Sequence, residues 1–408
     1  MVNYIGQQRG LVTGSTTQGL HPILAGRVVR DVAPEIALLD ANNAPLMTLL
    51  MKLRKSKASQ PKFEWQEDVF PAQATAIQTA DASANDTTVV VTAGTGSYGR
   101  PGDLWWNVES DEIMYIQSVT TDTWTVIRGV GGTTPTINSV AQEIYYIGNA
   151  MPMGWTARAP LTTVISQPYN YCQLFKESFE VTGTLDATTL YGGADRSYLR
   201  RKHGDLHKRD IEKTFWFGDR DLIATDEAAT YMATTYTGAY MTRGVTKWIE
   251  TAPAGNVHSN DTILTEDEFC GYLQTDFRYG NGVKFMFCSP LALTVISSWG
   301  RDKLQVVPRD TTFGINITRY ISPHGELNLI NNKMLGDITD ADDEAQNPSK
   351  SSYILDIEQL KYRYLRDTRL EMGIQENDRD SLQDQYMTEC GLEFSLPKHH
   401  SVIWGWQL

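Results

Sequence analysis

An α+β chain interrupted by an all-β module is the fold this sequence predicts, and three observations predict it. Near the C-terminus two long segments alternate. Their even positions read Tyr362, Tyr364, Arg366, Thr368, Leu370, Met372 and Ile374, then Tyr386, Thr388, Cys390, Leu392, Phe394 and Leu396. Period-two alternation marks a strand with one buried and one wet face, and each run is about twice the usual strand length. The second observation is a change of composition over residues 75–150, rich in Thr, Val, Gly and Asp and almost free of Lys and Leu. The third is a helical stripe, Leu199, Leu206, Ile211 and Phe215, in a segment that is clearest from Asp195 to Phe217.

Taken in order, residues 1–30 lack periodicity and are expected as an extended arm. Residues 33–56 predict one or two helices with Pro34 and Pro45 in first turns, and PLMTLLMKLRKSK ends in cations that suit a helix C-terminus. PKFEWQEDVF places Phe63 and Trp65 on one face of a strand, with Glu67 two positions on. The runs TTVVVTAG, DLWWNV, EIMYIQSV, TWTVIRGV and EIYYIGN, separated by turn signals, predict a roll or barrel of about five strands. YCQLFKESFEVT returns to a strand before the helix. Thr265-Glu-Asp-Glu268 is a capping box opening a helix through Arg278. GNGVKFMFCSP is a buried strand, LALTVISSW a short helix, and TRYISPHGELNLINN two strands around Pro323–Gly325. GDITDADDEAQNPSK is an acidic surface loop, and YILDIEQL leads into the long hairpin. The connection QENDRDSLQD, Gln375–Asp384, is too polar for a core. A hairpin of this length reaches roughly 35 Å at ~3.3 Å per residue. It would overhang a compact domain, which points to contacts beyond its own subunit and away from an enzyme.

Composition sets the bounds. Hydrophobic residues are 41% and charged residues 21% of 408, so the chain can bury real cores in two to four domains. Cys172, Cys270, Cys288 and Cys390 are widely spaced, which fits reduced thiols in a cytoplasmic product. The start MVNYIGQQRGLVTGS lacks a secretory leader's features, and no run of about 18 apolar residues occurs, so no membrane partner is expected. The net charge is −13, but residues 1–62 hold eight cations, Arg27, Arg30, Lys55 and Lys57 among them, against three carboxylates. That arm is +5 and the remainder −18, which favours an arm gripping acidic neighbours over a sequence-specific DNA binder.

Motifs of enzymes and metal sites are weak. Gly94-Thr-Gly96-Ser-Tyr-Gly99 matches a dinucleotide loop, but a strand follows it where a helix is required, so a turn is expected. His203 and His207 have metal-like spacing without the zinc-protease glutamate, and a solvated basic face with Arg200, Arg201, Lys202, Lys208 and Arg209 is the preferred reading. The acidic run from Asp337 to Glu344 lacks a calcium loop's spacing. His399-His400 is expected at a turn or interface. No catalytic residue, cofactor or metal is expected.

The closing stretch from Ile354 to Trp406 resembles the major capsid proteins of tailed double-stranded-DNA bacteriophages, the Hong Kong-ninety-seven fold. Asp378-Arg379-Asp380 and Glu389-Cys390-Gly391-Leu392 stand where that family has its charged loop and its Cys-x-x-x-Leu-type strand. GVKFMFCSPLALTVIS resembles the axial-domain strand and helix, and Asp195–Phe217 the spine helix. KFEWQEDVF and YCQLFKESFEVTGT, flanking the β-module, look like a subfamily with a domain inserted in the extended loop.

The resemblance implies a tailed-phage major capsid fold over most of the chain from about residue 30, with an inserted small all-β domain. The implied divisions are an N-terminal arm and helices (1–60), an extended loop (61–74 and 151–170) and an inserted domain (75–150). A peripheral domain (171–235 and 351–408) and an axial domain (236–350) complete them. It implies a structural protein, not an enzyme, self-assembling as hexamers and pentamers into an icosahedral shell around packaged double-stranded DNA, which it meets non-specifically. Portal, scaffold or prohead protease, and a decoration protein are its implied partners, the virion capsid its location and the host cytoplasm its place of synthesis. Assembly-interface candidates are Arg27, Arg30, Lys55, Lys57, Phe63, Trp65, Glu67, Asp378, Arg379, Asp380 and Ser381. One branch of the family cross-links covalently through an asparagine; Ser381 follows Asp-Arg-Asp here, so non-covalent assembly is expected. The alternative is a decoration or glycan-binding virion protein using Trp105, Trp106, Tyr115 and Trp124 of the β-module.

Overall fold

The computed structural model describes residues 44–158, 160, 162–188, 195–223, 229–231, 234–236, 238–251, 256–260, 262–299, 304–306, 317–337 and 347–407. They fall into two compact units, one of residues 64–168 and one of the rest.

In the larger unit the long hairpin is the middle of a four-stranded sheet. Its order is Lys55–Lys57, Leu360–Met372, Ser381–Phe394, Gln173–Thr182. Lys55–Lys57 runs parallel to Tyr362–Tyr364, and the other pairs are antiparallel. The cations of KLRKSK therefore do not end a helix: the helix Pro45–Leu53 stops first, leaving only Lys52 in its last turn. On the second hairpin strand Thr388, Cys390, Leu392 and Phe394 are buried as expected, but Met387, Gly391 and Glu393 between them are buried as well, so both faces are covered towards its end. Alternation fails on the first strand, where Arg366–Arg369 is exposed on both faces. Two register shifts between Tyr364 and Arg369 break the pleat there.

The 23-residue helix Asp195–Phe217 packs on Gln173–Thr182 and Ser381–Phe394. Its stripe differs from the expected one: Ile211, Phe215 and Trp216 are buried, but so are His207 and Glu212. Glu212 reaches across to the first helix. Leu46 N–H and Met47 N–H donate to its two carboxylate oxygens at 3.1 and 2.6 Å, and Trp216 Nε1 donates at 2.8 Å. The orphan donors of the Pro45 turn are thus capped by another helix. Burial pushes Glu212 up to about 7, against the pull of those three donors.

The same unit holds a sheet ordered Val257–Ser259, Ser401–Trp404, Ser352–Leu355, Val283–Cys288, Glu326–Asn331, Ile317–Ile321, Leu304–Val306. The helices Glu266–Asp276 and Pro290–Ser298 share its core, with Phe269, Leu273, Val295 and Ile296 meeting Met286, Leu329, Ile403 and Trp406. Thr265 and Glu268 form the reciprocal capping box, and Ser289 Oγ accepts from Ala292 N–H at 3.2 Å. His399 and His400 lie at the expected turn, Pro397–His399 with His400 closing it, and His400 is also buried in the core. Its Nδ1 accepts from Asp356 N–H at 3.1 Å, and burial pushes it down to about 3. Lys284 is buried too, donating to the carbonyls of Asp276 and His399 at 2.6 and 2.7 Å.

The smaller unit contains a closed six-stranded barrel. Around it run Ala74–Thr79, Thr88–Val91, Thr123–Ile127, Glu112–Thr120, Asp103–Asn107 and Glu143–Asn149. Ala74–Thr79 is the strand the composition concealed, since Ile77 is its only large apolar side chain. The core is Ile77, Val89, Val91, Trp105, Met114, Ile116, Trp124, Val126 and Ile144, with the Trp105 and Trp124 rings 4.8 Å apart. The glycine motif makes the 3₁₀ turn Gly96–Tyr98, and Gly96 O accepts from Trp124 Nε1 at 2.8 Å. A Cβ on Gly96 would lie 1.7 Å from Thr121 O, so closure of the barrel accounts for that glycine. Arg128 is locked inside by Glu112 and Asp81, each at 2.7 Å.

Candidate assembly surfaces

The hairpin is wired by charge. Glu393, 1% exposed, accepts from Lys361 Nζ at 2.7 Å and Arg363 Nε at 2.5 Å, and Arg366 pairs with Glu389 at 2.6 Å. At the far end Asp384 is fully buried, although its segment is too polar for a core. Arg196 donates to both of its oxygens at 3.0 and 2.8 Å, Arg200 donates twice at 3.0 and 2.9 Å, and Gly373 N–H at 3.1 Å. Every acceptor direction is filled, so the buried charge is compensated. The pair of arginines one helical turn apart is the sequence signal for this clamp. The Arg196 guanidinium foremost holds the Asp384 carboxyl down at about 2.

The helix face expected to be solvated is therefore divided. Arg201, Lys202 and Lys208 are exposed, but Arg196, Arg200, His203 and His207 dock on the sheet. His203 Nδ1 meets Glu177 at 2.7 Å with its ring stacked on Phe179, and His207 Nε2 meets Thr388 Oγ1 at 2.7 Å. Among the described residues no group of three or more His, Cys, Asp or Glu could hold a metal ion.

The clamp has a pH signature. A depressed carboxylate stabilises the fold fully above its unfolded value near 4, and that contribution is lost as pH falls through about 2. Two pH units correspond to roughly 2–3 kcal/mol. Asp384→Asn is expected to lose this much at pH 6 and to remove the wild-type decline between pH 4 and 2. Denaturant titrations following the hairpin unit at each pH check it; parallel curves for the two proteins contradict it.

The smaller unit carries a different surface. Backbone hydrogen bonds of 3.0 and 2.9 Å tie Glu67 to Ser166, and Trp65 N–H donates to Pro168 O at 3.1 Å. Thr163 Oγ1 donates to Asp68 at 2.6 Å. On this ribbon and its continuation large apolar side chains stand in water: Phe70 is 95% exposed, Met153 104%, Val164 90% and Trp155 62%.

The predicted interface residues separate into groups. Arg27 and Arg30 lie outside the described residues. Lys55 pairs with Asp367 and covers the Tyr364 ring, and Lys57 is exposed. Phe63 and Trp65 are buried within the chain, contrary to an interface role. Phe63 fills the space that Gly391 leaves, where a Cβ would come within 2.8 Å of its ring. Trp65 Nε1 donates to Glu67 Oε1 at 2.7 Å. Asp378, Arg379 and Asp380 form the exposed tip, with Arg379 reaching Glu180 at 2.9 Å. Ser381 is buried at the start of its strand, opposite Thr182, so it too departs from the expected interface role. Of the aromatics named for glycan stacking, Trp105 and Trp124 are barrel core.

The sequence profile described as SU10 major capsid protein matches residues 10–407. The chain belongs to that family. This major capsid protein is a structural protein of the virion capsid that associates with itself to form the shell. No curated protein matches it. Among solved structures it is similar to the cyanophage A-1(L) capsid, at 11% identity and TM-score 0.48 over 94% of this chain and 99% of that one. A native GTA particle capsid gives 8% and 0.47, over 94% and 97%. Mycobacterium phage Bobi gives 8% and 0.44, over 93% and 96%. The family match, not these distant likenesses, carries the assignment.

Proposed function

We propose that this major capsid protein assembles as hexamers and pentamers into an icosahedral shell around the double-stranded DNA of a tailed phage, without enzymatic activity. The observation that carries this reading is the ribbon of exposed apolar side chains, Phe70, Met153 and Val164. Each gains about 1.5–3 kcal/mol when fully removed from water, and a neighbouring copy supplies the cover. Repetition over a shell turns modest contacts into a stable whole. In this reading the ribbon is the extended loop, the barrel is the inserted domain, the hairpin sheet with its long helix is the peripheral domain, and the sheet centred on Val283–Cys288 is the axial domain. The exposed tip Asp378–Asp380 and the cation Lys57 meet adjacent capsomers by charge pairing. Ser381 in place of asparagine supports non-covalent assembly. Synthesis in the host cytoplasm and partners of portal, scaffold, prohead protease and decoration types complete the proposal.

Sedimentation velocity of the purified chain tests it. Capsomer-sized species or shells are expected. A strictly monomeric protein at high concentration, unchanged by co-expression with scaffold and protease, contradicts the reading.

A further inference from the structure

The chain contains one Asn-Gly step, Asn281-Gly282. It lies between the helix Glu266–Asp276 and Val283–Cys288, the central strand of the seven-stranded sheet, where the backbone bends at residues 279, 280 and 282. Both residues are exposed. Asn107, Asn138 and Asn170 are buried, and their side chains are hydrogen bonded. Asn281 differs. Among the described residues its carboxamide makes no hydrogen bond, and neither does Gly282 N–H.

The glycines on either side of Asn281 are not alike. Gly280 has φ +88°, and a Cβ there would lie 2.9 Å from Asp356 Oδ2, so the fold requires it. At Gly282 a Cβ would meet nothing within 4 Å, and its φ lies outside the left-handed region. Packing therefore does not demand glycine at 282. What glycine supplies there is an unshielded backbone nitrogen, next in the chain to a thermally labile amide. An open cleft lined by Asn281, Gly282, Asp356 and Glu358 brings water to the same place.

We infer that Asn281 is a covalent modification site, where the folded chain converts the carboxamide to aspartate and isoaspartate through a succinimide. The Gly282 nitrogen bonds to Asn281 Cγ, an attack favoured by proximity. Its proton leaves with the side-chain amino group as ammonia, and a cyclic imide remains. Water then opens the imide. Cleavage of the bond to Cγ gives aspartate. Cleavage of the bond to the main-chain carbonyl carbon gives isoaspartate, with the chain running through Cγ. No oxidant or reductant takes part. Either product carries a new negative charge beside Asp356 and Glu358, which line the same cleft. The isoaspartate also lengthens the main chain next to the 2.8 Å bond from Glu326 N–H to Gly282 O, at the head of the central strand. The turn is thus a slow covalent clock that adds charge to each subunit as it ages.

The test follows the full-length chain by peptide mapping during ageing at mildly alkaline pH. Trypsin cuts after Arg278 and Lys284, so Tyr279–Lys284 is released as one peptide. That peptide should gain about 1 Da with time and split into two chromatographic peaks. One peak should match the peptide from Asn281→Asp. The other should accept a methyl group from S-adenosylmethionine through an isoaspartyl methyltransferase. Gly282→Ala should slow the gain by roughly tenfold or more, because a Cβ shields the attacking nitrogen. Asn281→Gln should abolish it, and it decides the matter if Gly282→Ala misfolds, a point that far-ultraviolet circular dichroism reports. Asn377, exposed but followed by Asp378, should stay an amide. A wild-type chain that keeps its mass while the same peptide free in solution is converted overturns the inference, because the fold then protects Asn281. So does equal conversion of wild type and folded Gly282→Ala. The readout does not depend on assembly, so its failure is distinct from failure of the shell reading.

Discussion

Arg128→Met is expected to unfold the barrel while the hairpin unit stays folded. The guanidinium donates to both Glu112 oxygens and to Asp81 Oδ2 at 2.7 Å, and also to the carbonyls of Asp86 and Thr136. The side chains of Glu112 and Asp81 are 0% and 1% exposed. Removing the cation leaves two carboxylates facing each other out of water, and breaking such a buried network costs about 3–5 kcal/mol. That is comparable with the whole stability of a small domain, about 5–15 kcal/mol. Arg128→Lys should recover only part of it, because one ammonium cannot supply the fork that Glu112 accepts. Two units need not unfold together, so calorimetry is the proper readout. One transition should vanish or fall steeply, and proteolysis should cut within residues 74–149 while the hairpin unit survives. A change below about 1 kcal/mol would show that the network carries little of the barrel's stability.

Replacing two exposed apolar residues is expected to have its largest effect on assembly rather than on folding. Phe70 and Val164 are 95% and 90% exposed, so serine at either position removes almost no contact within the chain. Their Phe70→Ser/Val164→Ser double variant should unfold within about 0.5 kcal/mol of wild type, as surface substitutions do. In the shell each copy would lose the burial of two large side chains, about 3–6 kcal/mol in total. Because every subunit repeats the loss, the concentration needed for assembly should rise by orders of magnitude. Light scattering against protein concentration measures that threshold directly. An unchanged threshold would remove the ribbon from the assembly surface.

Much of this architecture is legible in the residues. The apolar positions Cys390, Leu392 and Phe394 mark a strand with a covered face, and Thr265–Glu268 announces its helix; that Glu393 on the other face is buried too is invisible in the alternation. What escapes the pattern depends on tertiary partners. Asp384 belongs to a polar run, yet it is buried because Arg196 and Arg200, far away in sequence, bring five charge-assisted or backbone bonds with Gly373. Ala74–Thr79 carries too little hydrophobicity to declare itself, and closure of the barrel decides its state. Phe63 and Trp65 show the limit of periodicity in the other direction: alternation marks a covered face but not whether the cover is this chain or another. The ribbon residues Phe70, Met153 and Val164 lie in short irregular apolar runs, beside Val69, within Met151–Trp155 and beside Ile165, and leave no strand or helix period.

Copies of this chain are expected to build a shell by covering one another's exposed ribbons. A residue-resolved electron cryo-microscopy reconstruction of particles made from the full chain tests it most directly. The predicted result is a closed icosahedral shell of hexamers and pentamers in which Phe70, Met153 and Val164 of each copy are buried against a neighbouring subunit. A shell that leaves these side chains in solvent, or particles that never close, would contradict it.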